Sequence, residues 1–552
     1  MRQCAGRKAR GGLARGGLAT RAVLQDGAGN VATSELEAAG VWQTRFAQEF
    51  GGHVVEAAEA ELQQYLEVLP PRTCQGQRVS QEEWMGMLCD SLAAAKLGKA
   101  TADAATVDVM KVAGTDCLWV LAGIAAKAAE TRIPMAWRGG VMCPVPRKAK
   151  MPMSFGNSRG VMLGSHAAKL VAKAARKELA KVLKDTAGDL QSGSVPGGGT
   201  DFPAAAVRMF LRGRKLRCLP AALLFVDVRG AFYSILPELA IGALVGDEER
   251  RRLFRQLGPS DEMADKLGKK VAEEAALGRH GGVSGAWRSL VEDWHRCPWY
   301  SVRGRPERYR TLVGVRPGDP LADAVFALAF ALFQEELVSA LAAAGLSVVL
   351  RTDSGSIFGA PEPAAREVTM MPPTFVDDLV VPVEAQDCET LVANLAATAD
   401  LVDRIATQFA LEVNFAAGKT EAVMVLAGKA KQAVQSLLQP WEGNEPGEWY
   451  ALPTLGGRRL RVVNAYKHLG LLAAATRSEE QEIAARARAA SRQQAAAQAP
   501  ANRPMMTDVK DDPTILRKRL VVPKVPQGGP NTGGPPLRRA PPVPHLPPCA
   551  PG

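Results

Sequence analysis

The chemistry of this chain is concentrated in three aspartates. Thr374-Phe375-Val376-Asp377-Asp378-Leu379-Val380-Val381 places two adjacent carboxylates among β-branched and aromatic residues, the composition of a short strand or hairpin. Neighbouring acids repel, and a cation is the simplest way to neutralise such a pair in apolar surroundings. Aspartate offers only oxygen donors, which suit a hard ion: Mg²⁺, with Mn²⁺ as a substitute. Upstream, Ala221-Ala222-Leu223-Leu224-Phe225-Val226-Asp227-Val228 is an apolar run of strand length that ends in one acid. One strand delivering one acid and another delivering two meets the requirement of a two-metal phosphoryl-transfer site, whose ions lie about 3.5–4 Å apart.

Such strands need a scaffold, and 552 residues with 47% hydrophobic side chains can form two to four domains with a large core. The net charge is +11. Residues 1–25 contribute +6 and 500–552 contribute +5, so the segment between them nets zero. A nucleic-acid channel in the folded part must therefore be a local patch. The nine cysteines form no Cys-x-x-Cys and no spaced pairs, which excludes a zinc module or disulfide framework and fits a reducing, intracellular compartment. The longest uninterrupted apolar run, Ala324 to Phe333, is far short of the roughly 20 residues that cross a bilayer, and no membrane association is expected. The Arg-rich, acid-free N-terminus fits either a disordered Arg/Gly arm or an organellar transit peptide.

The elements follow in order. Residues 1–40 are low-complexity and expected to be disordered. Periodic apolar residues predict helices from Glu35 to about Lys127, including stretches beginning at Glu56 and Glu82. Trp137 to Lys150 reads as a strand, a Pro-stiffened turn and a basic loop; Arg159 to Lys169 then opens a helix running to about Lys184. Gln191-Ser-Gly-Ser-Val-Pro-Gly-Gly-Gly-Thr200 precedes a helix over 201–212, and charged helices are expected between Tyr233 and Gly314. Asp319 as N-cap with Pro320 behind it predicts a helix start, the apolar helix reaching about Gly345. Further helices are expected over about 387–410 and 479–498, with a Pro/Gly-rich, disordered tail over 500–552.

Seven of these stretches resemble, in chain order, the polymerase elements of reverse transcriptases, in particular those of non-LTR retrotransposons and group II introns. Asp227 with Phe232 five residues on looks like motif A, and Phe375-Val376-Asp377-Asp378 looks like motif C. The basic hairpin with Lys148 and Arg159 resembles the fingers contacts to the triphosphate. Gln191-x-Gly resembles an element packed near template and primer. Arg316-Pro317-Gly318-Asp319-Pro320-Leu321 is similar to motif B, with Pro317 where the family has Gln; Asn414 to Glu421 resembles motif D, with one extra residue before Lys419. Tyr466-Lys467-His468-Leu469-Gly470 resembles the primer-grip hairpin, motif E.

The resemblance implies an α+β fold: a right-hand polymerase with fingers and palm, an antiparallel palm sheet backed by helices, and an incomplete thumb. The expected divisions are a basic arm over 1–40, a helical region over 41–130, fingers over 131–215, palm over 216–455, primer-grip hairpin and partial thumb helix over 456–499, and a tail over 500–552. The implied activity is RNA-directed DNA synthesis from a primer 3′-hydroxyl. Asp227, Asp377 and Asp378 would hold two Mg²⁺, Lys419 would protonate the leaving pyrophosphate, and Lys148, Arg159, Phe232 and Gly318 would contact the nucleotide. Gln191, Tyr466, His468 and Gly470 would meet template or primer. Phe232 beneath the sugar argues for deoxynucleotides. The implied partners are an RNA template, a DNA or RNA primer and dNTPs, in the nucleus if the resemblance extends to habitat. The competing reading is a catalytically inactive, RNA-binding scaffold of the same fold or a truncated retroelement relic, favoured by Pro317, the incomplete thumb and the lack of a nuclease-like segment.

Overall fold

The fold is α+β and is built on β4 (Ala221–Val226), whose six side chains are all buried. A strand flanked by strands and covered on both faces has no use for polar alternation, hence the unbroken apolar run. The computed structural model describes residues 32–474 with gaps; the main continuous stretches are 34–49, 78–99, 106–147, 158–242, 260–273, 285–303, 313–351, 367–428 and 456–474. The chain divides into two units, Met1–Arg486 and Ala487–Gly552, the second wholly outside those residues, as are Lys148, the basic tail and the helix expected over 479–498.

In the central seven-stranded sheet, of order β12-β13-β14-β11-β4-β10-β9, β4 is antiparallel to both neighbours, β10 (Asp378–Glu384) and β11 (Glu421–Val425). β9 (Thr374–Phe375) borders β10, while β12 (Gln439–Pro440), β13 (Tyr450–Pro453) and β14 (Arg459–Val463) lie beyond β11; β14 runs parallel to β11, so the sheet is mixed where the sequence reading expects an antiparallel one. One face, with Leu224, Val226 and Leu379, joins the main core against α11 (Ala322–Ala343) and α12 (Cys388–Gln408). The other face, with Leu223, Phe225, Val380 and Val423, packs on α5 (Asp201–Leu216) and the hairpin of β15 (Ala465–His468) and β16 (Leu471–Ala474).

A second sheet has the order β1-β6-β5-β2-β3. Its hairpin joins β2 (Gly139–Pro146), where the sequence reading places a strand, to β3 (Ser158–Leu163), where it opens a helix at Arg159; pairing with β2 makes 158–163 a strand, and α4 (His166–Thr186) begins only after it, with Ser165 capping it. β5 (Trp299–Val302) and β6 (Arg308–Arg310) fall in a stretch expected to be helical, though α8 (Asp261–Glu273) and α10 (Gly285–His295) are present. Pairing supplies the reason: β5 extends β2 in parallel, a partner invisible to local periodicity. β1 (Val55–Ala57) likewise replaces the start of the helix expected from Glu56, because it pairs with β6.

The two sheets meet at the start of α11. Pro317 O accepts from Met162 N at 2.6 Å, and Gly318, at φ +101°, brings its backbone so close that a Cβ would stand 2.5 Å from Met162 O. Asp319 is not the helix N-cap. α11 begins three residues later because Asp319 is engaged elsewhere: its carboxylate accepts from Leu321 N, from Arg316 and, at 3.0 Å, from Trp294 Nε1. Arg316 in turn donates to Arg138 O, and Arg138, fully buried, pairs with Asp293 at 2.8 Å. Burial drives the Arg138 and Arg316 guanidinium pKa values down, and each carboxylate partner opposes that cost.

The remaining helices are α1 (Glu35–Glu49) against β5, α2 (Gln81–Ala93) against α3 (Val107–Glu130) and α4, the short α6 (Ala231–Ser234), α7 (Pro237–Ile241) and α9 (Ala276–Arg279), and α13 (Lys431–Leu437). Among the described residues two helices, α3 and α11, are long and apolar enough to cross a membrane; most of α11 is buried core, whereas α3 keeps one side exposed.

Candidate active site

The register of three strands builds a row of charge at one end of the central sheet. Leu379 lies opposite Val226, so the next step along the ladder sets Asp378 opposite Asp227. Glu421 lies opposite Phe225, so two further steps set Lys419 opposite Asp227 on the other side. Cross-strand neighbours share a face, and the side chains meet accordingly: Lys419 Nζ is 3.1 Å from Asp227 Oδ1. All three residues share the face of Phe225, away from α11 and α12.

Asp377 comes from the turn between β9 and β10. Phe375 pairs with Asp378, leaving Val376 and Asp377 as a two-residue connection, and Val376 takes φ +60°. A β-branched residue there is strained, and such strain persists only where the surroundings impose it. Here they do. Ser192 N donates to Thr374 O, Thr374 N to Leu190 O, and Gln334 Nε2 to Thr374 Oγ1. Gly193 lies flat against the turn, where a Cβ would overlap Val376 N. The Gln191-Ser192-Gly193 stretch is thus a rest for the two-acid turn.

Electrostatics follow from this crowding. Partial desolvation pushes the Asp378 carboxyl up to about 6, with repulsion from Asp377 and Asp227 adding to it and Lys419 opposing. Asp378 remains exposed, so water screens part of that repulsion. Desolvation also raises Asp377, as does Asp227, while its own backbone amide, Lys419 and Arg147 pull it down. Three oxygen-donor groups crowded into mutual repulsion fit a hard divalent cation, and the Lys419 ammonium already occupies a cation's place at Asp227. Among the described residues no three His, Cys, Asp or Glu side chains are gathered at coordination spacing.

The loop that delivers Lys419 is tied down on every side. Asn414 N donates to Asp227 O at 2.8 Å, Asn414 Nδ2 to Asp227 Oδ2 at 3.0 Å, and Asp227 N to Thr420 Oγ1 at 3.1 Å. Gly418 N donates to Glu421, whose carboxylate is buried beside Arg461 at 3.7 Å. Asn414 therefore aims the Asp227 carboxylate while Thr420 holds the Asp227 backbone, roles that reading the residues singly did not assign. Asn414→Ala is expected to lower stability by about 1.5–3 kcal/mol, the range for a hydrogen bond to a charged group, read by thermal unfolding. Asn414→Asp, which adds a fourth carboxylate, is expected to cost more than Asn414→Ala at pH 8.

The other sequence-derived candidates fall into two groups. Phe232 is half-buried and stacks on Phe326 of α11, ring centroids 4.5 Å apart. Arg159 is exposed on β3, on the strand face of Val161, whose side chain touches Gly318. Arg147, one residue before Lys148, is the described cation of the β2–β3 hairpin that acts on Asp377. Tyr466 stacks on Phe225 at 4.3 Å and donates to Lys419 O at 3.0 Å, while burial and the nearby carboxylates push its hydroxyl up to about 12. Gly470, at φ +80°, forms with Leu469 the two-residue turn of the β15–β16 hairpin.

Two residues sit differently from expectation. Gln191, expected beside template or primer, is buried and donates to Ala327 O of α11, because its neighbours are pinned to Thr374. His468 is also buried, its imidazole lowered to about 4 by desolvation and therefore neutral, and it packs near Phe225. Both support the site from within. No family model and no curated protein matches the chain.

Proposed function

We propose that the chain is an RNA-directed DNA polymerase that transfers nucleotides from dNTPs to a primer 3′-hydroxyl. The observation that carries this reading is the gathering at one end of the sheet of Asp378 at the start of β10, Asp227 one residue past β4 and Lys419 two residues before β11, with Lys419 on Asp227 at 3.1 Å and Asp377 in the adjoining turn. On this reading the five-stranded sheet is the fingers, the seven-stranded sheet the palm, and the β15–β16 hairpin the primer grip.

Asp227, Asp377 and Asp378 would hold the divalent ions. Such ions, when bound, lower the pKa of the attacking hydroxyl and neutralise charge on the phosphates. Lys419, part-exposed with Asp227 as its resting partner, donates a proton to the leaving pyrophosphate. Arg147 and Arg159, with Lys148, bind the triphosphate from the β2–β3 hairpin, since a guanidinium can grip two phosphate oxygens at once. Phe232, braced on Phe326, fills the space below the sugar and rejects a 2′-hydroxyl. Tyr466 holds the Lys419 loop against the hairpin that meets the primer.

The test is extension of a DNA primer on an RNA template, with dNTPs or rNTPs, in Mg²⁺ or in chelator. Extension is expected only with Mg²⁺ and dNTPs. Binding of the primer–template without extension under any of these conditions would replace the enzyme by an RNA-binding scaffold of the same fold.

A further inference from the structure

Helix α3 keeps Trp119, Val120 and Ile124 exposed on its outer side, beside the Gln81 side chain of α2, which lies over Gly123 and donates to Trp119 O. Gly114, at φ +70° and ψ −148°, breaks the helix, and the sixteen or so residues after it form one straight segment. Its inner face, Leu118, Leu121, Ala122, Ala125 and Ala128, is buried against neighbouring helices. Its outer face presents Trp119, Val120 and Ile124 at 45%, 63% and 44% exposure, with Gly123 between them. Asp116 and Lys127 bracket this patch, both without an ion pair among the described residues.

The positions 116, 119/120, 123/124 and 127 read the same from either end. Laid antiparallel on itself about a two-fold axis level with residues 121 and 122, the face sets Asp116 opposite Lys127, Trp119 opposite Ile124, and Val120 opposite Gly123. Symmetry makes each pair twice. A parallel arrangement would instead set Asp116 on Asp116 and Lys127 on Lys127. A patch with one acid and one base suits neither a nucleic acid nor a bilayer interior.

We propose that two copies of the chain associate through α3 in this antiparallel register. The inference is independent of the polymerase reading, because α3 carries none of the groups assigned to that chemistry. A contact along one helix is at the small end of specific interfaces, so a dissociation constant on the order of 10 µM is expected.

Sedimentation velocity on the full chain, from roughly 1 to 100 µM, tests it. Wild type should pass from monomer to dimer across that range, and Val120→Glu should remain monomeric. Asp116→Lys should weaken the dimer by about tenfold, since two ion pairs become two like-charge contacts. Asp116→Lys with Lys127→Asp should restore it. A wild type monomeric throughout, association indifferent to these changes, or a charge swap that fails to restore while melting as wild type would each overturn the proposal. So would binding of the monomer to phosphatidylcholine vesicles in place of self-association. Should Val120→Glu fail to fold, the charge pair decides alone.

Discussion

Asp377→Asn is expected to lower Mg²⁺-dependent primer extension by at least about 10³-fold, the order for losing one preorganised charge-stabilising group, and to raise the melting temperature of the metal-free protein. The two effects have one cause. The Asp377 carboxyl is held above its ordinary value by desolvation first and then by Asp227. A carboxyl whose pKa is raised on folding binds its proton more tightly in the folded state. Its contribution to stability is therefore most favourable at low pH and is lost as pH rises through the raised value. Asparagine removes that penalty at pH 7, and the advantage should vanish at about pH 4, below which aspartate is protonated in both states. Mg²⁺ should raise the melting temperature of wild type and have little effect on the variant. Unchanged extension would sink the assignment of Asp377, and a lower melting temperature at pH 7 would show that the acids are not in conflict. A site that stabilises when neutralised is a site kept for function.

Gly193→Ala is the second large effect. A Cβ at this position overlaps the backbone nitrogen of Val376 and stands 2.7 Å from its Cγ2 and 2.8 Å from Phe375 C. Backbone cannot swing aside as a flexible side chain would, so the two-acid turn must move. The expected cost is about 2–4 kcal/mol of stability. Displacing Asp377 by about an ångström is expected to lower extension by about 10²-fold. Gly199, in the same glycine-rich stretch, faces open space, with nothing within 4 Å of where a Cβ would stand, and Gly199→Ala should stay within about 0.5 kcal/mol of wild type. Equal behaviour of the two variants, by melting and by extension, would mean that Gly193 does not seat the turn.

The strands that carry the acids were legible because their signals are local. An unbroken apolar run ending in Asp227 has few other uses than a buried strand, and Asp377-Asp378 flanked by Phe375 and Leu379 reads as a hairpin without further knowledge. Asp387, bonded to Thr390 N at 2.8 Å, starts α12 where the sequence places it. What stayed hidden depends on register between distant segments. Lys419 faces Asp227 only because β11 pairs with β4 across almost two hundred residues, and Asn414 gains its role in the same way. Nothing local marks Gly193 as the seat of the two-acid turn; only the approach of Val376 does. Pairing also overrode periodicity at β1, β5 and β6, and at Asp319 a buried indole and guanidinium outcompeted the helix for one carboxylate.

The burial of Arg138 also bears on synthesis at the ribosome. Its carboxylate partner, Asp293, is 155 residues downstream, and β10 and β11, the strands that flank β4, are further along the chain still. At about 5–20 residues per second, Arg138 waits roughly 10–30 s for Asp293 to emerge before it can be buried. β4, once made, likewise waits for β10 and β11 before its two edges of Ala-Ala-Leu-Leu-Phe-Val are paired. The first half of the polypeptide therefore cannot complete its core until the second half emerges, and yield on expression is expected to rise with holdase supply.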